Sequence, residues 1–232
     1  MVVGSNLYNF GQFVFHFLAG RFLGKAYYGD LASLISILAF VTIIQISLGL
    51  TIVKYVAAGK NKKEVSNFVR WVHYWTIWIG LIVATLVFLL SPVFVKFLNI
   101  TQPIAVYLLG PTLLFFILTN TGRSILQGAL LFKKYILSLL VEVGVKIPLA
   151  LIFIFTGFAV FGAMGALFIG IAISFLVTKL SLRSYLSGSR GKRPNIKPLL
   201  AYSFPVFVQG LALTSMYSTD LILGKHFFSP DQ

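Results

Sequence analysis

Seven long apolar stretches run from Val3 to Leu223, each close to the roughly 20 residues a helix needs to cross a hydrocarbon core. They cover Val3–Phe22, Leu31–Tyr55, Val69–Leu90, Ile104–Leu126, Leu137–Phe158, Gly162–Leu182 and Leu199–Leu223. Lipid offers no water to unpaired N–H and C=O groups, so each span must satisfy its own backbone as an α-helix. The fold class that follows is an all-α polytopic membrane protein. Hydrophobic residues make up 58% of the chain and charged residues 10%, gathered mostly in the linkers. A water-soluble domain would spread its charges over every surface helix.

The linkers alternate in charge. The second holds Lys60, Lys62 and Lys63, with Lys54 and Arg70 at its edges. The fourth holds Lys133 and Lys134. The sixth holds Arg190, Lys192, Arg193 and Lys197, led in by Lys179 and Arg183. By contrast the first has Arg21 and Lys25, the third Lys96, and the fifth no basic residue. The positive-inside rule makes the even linkers cytoplasmic, and the N-terminus with them. The net charge of +14 is therefore read as topology, with no nucleic-acid partner expected. Trp71, Tyr74, Trp75 and Trp78 fit an aromatic belt at the entry of the third span.

Catalytic and metal chemistry find little support. Cysteine is absent, which removes disulfides, thiolate nucleophiles and cysteine metal sites. There is no HExxH, no carboxylate pair at catalytic spacing and no glycine-rich phosphate loop. His73 sits among aromatics without a second ligand nearby, so no metal is expected.

Polar groups inside the spans are more informative, because they are costly in lipid and tend to face a bundle interior or water. Asn6, Asn9 and His16 share one helical face with Phe13 and Gly20. Thr42, Gln45 and Gly49 stand in the same relation on span two. These stripes line either interhelical hydrogen bonds or a water-filled cavity. On span five Glu142 and Lys146 lie one turn apart, placed to pair, with Pro148 just beyond. They are either a structural ion pair or a functional site. Arg123 has two readings, snorkelling to the interface or meeting a phosphate at a cavity mouth. Asp220, late in span seven, either faces the cavity or caps the outer end. The ridge Gly162, Ala166, Gly170, Ser174 and Thr178 is expected to serve close packing and no chemistry.

Several segments together resemble one family. Gly20-Arg21-Phe22-Leu23-Gly24-Lys25-Ala26-Tyr27-Tyr28-Gly29-Asp30 resembles the "R-x-L-G-x-x-x-Y-G" turn between the first two spans of polysaccharide flippases. These belong to the multidrug/oligosaccharidyl-lipid/polysaccharide exporter (MOP) superfamily. Thr51-Ile52-Val53-Lys54-Tyr55-Val56-Ala57 is similar to the end of their second span. Ile125-Leu126-Gln127-Gly128 with Lys133-Lys134-Tyr135 is similar to the end of their fourth. Gly162-Ala163-Met164-Gly165-Ala166 resembles the entry to their sixth. Tyr202-Ser203-Phe204-Pro205 with Asp220-Leu221-Ile222-Leu223-Gly224 resembles the start of their second half.

The resemblance implies a two-bundle transporter fold. Residues 1–186 would form its six-helix N-terminal bundle, 187–198 a basic cytoplasmic linker, and 199–232 the first helix of the second bundle. It implies flipping of an undecaprenyl-diphosphate-linked oligosaccharide across the cytoplasmic membrane, with membrane lipids and polysaccharide polymerase or assembly proteins as partners. On that basis Lys146, Arg123 and Arg21 are candidates to attract the diphosphate, with Asn6, Asn9, His16 and Gln45 as further cavity residues. Glu142 and Asp220 are candidates to carry a coupling proton or Na+; no other cofactor is expected. Three competing readings are a cation-coupled drug antiporter of the same superfamily, a membrane-embedded polysaccharide-synthesis enzyme, and a scaffold subunit. The first calls for a more acidic cavity, the second for an acidic cluster or a large loop outside the membrane.

Overall fold

A computed structural model describes residues 2–59 and 61–187, with isolated positions between 204 and 215. Lys60, Arg190, Lys192, Arg193, Lys197, Asp220, the linker beyond Ser187 and the stretch Leu199–Leu223 as a span lie outside the described residues.

Among the described residues every regular element is a helix. The order is α1 (Val2–Ala58), α2 (Lys62–Leu89), α3 (Ser91–Phe97), α4 (Pro103–Tyr107), α5 (Leu109–Gly128), α6 (Phe132–Phe155), α7 (Ala159–Ser181) and α8 (Arg183–Leu186). Helix α1 holds the first two spans, broken at Gly24, whose backbone sits at φ 77° and ψ 171°. That region is essentially closed to residues with a Cβ. The break reverses the chain. His16 and Tyr28 would stand about 18 Å apart along a straight helix, yet the Tyr28 hydroxyl meets His16 Nδ1 at 3.4 Å. The expected first linker is thus one non-helical residue, with helix resuming at once. Helix α2 likewise starts seven residues before the expected Val69, because its polar first turns, Lys62 to Asn67, stay helical outside the hydrocarbon. Among the described residues five helices are long and apolar enough to cross a membrane, with α1 taken whole and Pro103–Gly128 serving as one; the break at Gly24 divides α1 into two arms.

The linkers gather at two opposite ends. At the odd-numbered end, Asp30 accepts the Thr101 N–H at 2.9 Å and the Thr101 hydroxyl. Nearby, Gln102 Oε1 accepts the Phe161 N–H at 3.1 Å, in the first turn of α7. At the even-numbered end, Arg70 donates to the Ser187 carbonyl at 3.0 Å, Lys134 reaches the Ser181 carbonyl, and Lys62 lies over the Tyr185 ring. Two apolar clusters follow the same division. One packs Leu31, Leu34, Leu109, Leu113, Ala163 and Met164. The other packs Val65, Phe68, Val69, Ile125, Leu126 and Leu182. Along α5 and α7 the stretch between these clusters is occupied by Arg123, Ser174 and Thr178, which places a polar layer inside the bundle.

Candidate functional site

Helix α6 builds the layer's spine. Ser138, Glu142 and Lys146 recur every four residues, so all three project from one face. That face meets α5, α7 and the first arm of α1. Small residues let the neighbours come close: a Cβ on Gly170 would sit 2.9 Å from the Glu142 carbonyl oxygen and 3.1 Å from Lys146 Cβ. Lys146, Arg123 and Glu142 are only 2%, 5% and 6% exposed, so none of these charges is solvated by bulk water.

Arg123 and Glu142 form the ion pair, with Nη2 and Oε2 2.7 Å apart. Arg123 also donates Nε–H to Ser138 Oγ at 2.9 Å, and from Nη2 to the Ser138 carbonyl at 3.0 Å and Ser174 Oγ at 2.8 Å. The Ser138, Ser174 and Thr178 hydroxyls close a chain at 2.8–2.9 Å. The other Glu142 oxygen accepts the Tyr8 hydroxyl at 3.0 Å and Gln12 Nε2 at 3.4 Å. Gln12 Oε1 in turn accepts Lys146 Nζ, which lies 4.3 Å from the centroid of the Phe15 ring. Two cations and one carboxylate are therefore held in a buried layer built by α1, α5, α6 and α7. Depth follows from the helical rise of about 1.5 Å per residue. Arg123 lies nearest the even end, five residues before Gly128, and Lys146 lies deepest, 14 residues after Phe132.

The expected neighbours are rearranged. Glu142 pairs with Arg123 and not with Lys146, because a guanidinium arriving from α5 offers the carboxylate a better partner than a lysine on its own helix. Arg123 does not snorkel: its head points into the bundle and finds four oxygens there. Pro148 leaves α6 continuous to Phe155. Ser174 and Thr178, expected only to pack, supply hydroxyls to the layer.

The first-span stripe is displaced as well. Asn6 and Asn9 are exposed beside Phe10, Phe13 and Phe17, and the inward face is the neighbouring one, bearing Tyr8, Gln12, Phe15 and Ala19. His16 sits half-buried between the two faces. Gln45 is buried on the second arm of α1, and Arg21 is exposed near Gly24, nine residues past Gln12. Of the candidate residues the structure thus joins Arg123, Glu142 and Lys146 into one network. Tyr8, Gln12 and Ser138 were missed. Their signal is the four-residue spacing Tyr8–Gln12 and Ser138–Glu142–Lys146.

The profile of a family described as "Polysaccharide biosynthesis protein" matches residues 2–228. The fold is that of MOP-superfamily transporters. An outward-facing multidrug-resistance MATE family transporter of that superfamily superposes with a TM-score of 0.78 at 16% identity, over 94% of this chain and 52% of the transporter. An inward-facing form gives 0.71 at 18%, over 93% and 51%. A MOP-superfamily transporter from Pyrococcus furiosus, noted for the reversed polarity of its binding pocket, gives 0.75 at 17%, over 93% and 51%. The chain thus spans about half the length of the solved transporters it matches. No curated protein matches it by sequence.

Proposed function

We propose, since this chain belongs to the polysaccharide biosynthesis protein family, that it forms one bundle of a transporter that flips an undecaprenyl-diphosphate-linked oligosaccharide across the cytoplasmic membrane. The observation that carries this reading is the buried layer in which Arg123 and Lys146 outnumber Glu142. A headgroup with a diphosphate cannot cross hydrocarbon unaided, and fixed cations in a low-dielectric setting attract it strongly. The prenyl tail has no such need and stays in lipid. Rocking of this bundle against a second would present the layer to each side in turn. A cation antiporter would be served by acidic groups, and an excess of positive charge opposes that use.

In this reading the even-numbered end faces the cytoplasm, since it carries Lys54, Lys62, Lys63, Lys133 and Lys134 against Arg21, Lys25 and Lys96 at the other. Arg123 and Lys146 attract the diphosphate, while Glu142 holds Arg123 in place and is the candidate for a coupling proton. The test is complementation of a flippase-deficient strain by the whole gene, scoring surface polysaccharide. Restoration by the wild type, and its loss in Lys146→Ala at normal membrane levels, is expected. Failure of the inserted wild-type protein to restore export, or full export by Lys146→Ala, overturns the proposal.

A further inference from the structure

Lys146 and Arg123 are both cations in one layer, but their surroundings differ. Arg123 is neutralised by Glu142 and held by Ser138 and Ser174. Lys146 has three N–H donors. Among the described residues its hydrogen-bond acceptor is the neutral Gln12 Oε1, with the Phe15 ring face beside it, and no carboxylate lies within ion-pair distance. Yet Glu142 stands one turn away on the same helix, at a spacing that favours direct pairing. What stands between them is the Gln12 amide. Its N–H donates to Glu142 Oε1 and its carbonyl oxygen accepts from Lys146. The two charges orient the amide, since a reversed group would set donor against donor and oxygen against oxygen.

We infer that Gln12 is a positioning residue that spaces Glu142 from Lys146 and so keeps the Lys146 ammonium un-neutralised, with its amide oxygen holding the place that a diphosphate oxygen takes. The inference rests on the reading that this layer receives a diphosphate. Gln12 suits the task because it satisfies a buried ammonium without cancelling its charge. An anionic oxygen displaces it because it adds the attraction of opposite charges to the hydrogen bond the ammonium already makes with a neutral oxygen. Gln12 and Phe15 both belong to the first arm of α1, so that arm covers Lys146.

The test uses the protein encoded by the whole gene in nanodiscs, with geranylgeranyl diphosphate as the probe and geranylgeraniol as the neutral control. Gln12→Glu places a carboxylate on Lys146. Gln12→Met removes the spacer and lets Glu142 pair with Lys146, without adding charge to the layer, which guards against misfolding of the first variant. Each is expected to weaken diphosphate binding by about tenfold or more. In a Lys146→Met background, where binding is already weak, Gln12→Met should not weaken it further. Normal binding by both Gln12 variants, with Lys146→Met impaired, overturns the inference and leaves the site reading intact. So does a Gln12→Met effect that persists unchanged without Lys146. A wild-type protein that does not prefer the diphosphate to the alcohol overturns the site reading, and the inference with it.

Discussion

Replacing Arg123 by Met strands the Glu142 carboxylate inside the bundle. Both side chains are more than nine-tenths buried, and the pair is closed at 2.7 Å. Removing one partner of a buried ion pair costs about 3–5 kcal/mol, because the remaining charge keeps its desolvation and loses its attraction. A lone hydroxyl contact in a membrane bundle is worth about 0.6 kcal/mol. Ser174→Ala, which deletes one hydroxyl contact to Arg123 and two to Ser138, therefore serves as the scale, at about 2 kcal/mol. Arg123→Met should lose about twice as much stability as Ser174→Ala or more. Arg123→Met combined with Glu142→Leu removes both charges and should regain most of the loss, giving a coupling of about 2 kcal/mol or more. Unfolding by SDS in mixed micelles, followed by the fluorescence of Trp71, Trp75 and Trp78, measures all of these. A single mutant no less stable than Ser174→Ala, or a double mutant no better than the single, refutes the ion-pair account.

Other expectations follow from the same geometry. Gly24→Ala meets no neighbour within 4 Å, so its cost is backbone strain alone, about 1–3 kcal/mol, and should appear as a lower melting temperature in detergent. Gly170→Leu drives a side chain into the α6 backbone at Glu142 and should cost about 1–3 kcal/mol and abolish export, scored by melting and by complementation. The cysteine-free sequence makes topology directly readable: Lys25→Cys and Lys96→Cys should react with an impermeant maleimide in intact cells. Lys63→Cys and Lys133→Cys should react only after permeabilisation; the reverse pattern refutes the orientation.

The spans were legible because lipid imposes length and apolarity on every one of them, and each of the first six expected stretches falls on a described helix or helix arm, with starts up to seven residues early. The turn at Gly24 was visible as a short polar run, though not its compression to a single residue. Partners inside the layer were less legible. A sequence shows which residues share a helix, and so Glu142 was matched to Lys146, four positions on. The competing guanidinium comes from 19 residues away, and only packing brings it in. The first span hid its inward face for a different reason. Its most polar stripe, Asn6 and Asn9, is expected to meet a neighbouring helix or a water-filled cavity; it lies exposed on this bundle, and the inward face is set by how closely helices approach. A Cβ on Gly11 would lie 2.2 Å from Val143 Cγ1, which turns Tyr8 and Gln12 toward α6 and leaves the asparagines outside.

The partnership of Arg123 with Glu142 also bears on how the chain enters the bilayer. Presented singly to the insertion machinery, α5 would carry the bare Arg123 guanidinium, and α6 would carry Glu142 and Lys146 in its interior beyond Lys133 and Lys134 at its start, at a cost that reaches about 2.5–3.5 kcal/mol per charge at a helix centre. The turn joining the two helices is just three residues long, 129–131, so both emerge from the ribosome almost together. Delivered as a hairpin they cancel one charge of each sign before either meets lipid. Biogenesis, as much as the finished fold, thus favours keeping these two groups on consecutive spans.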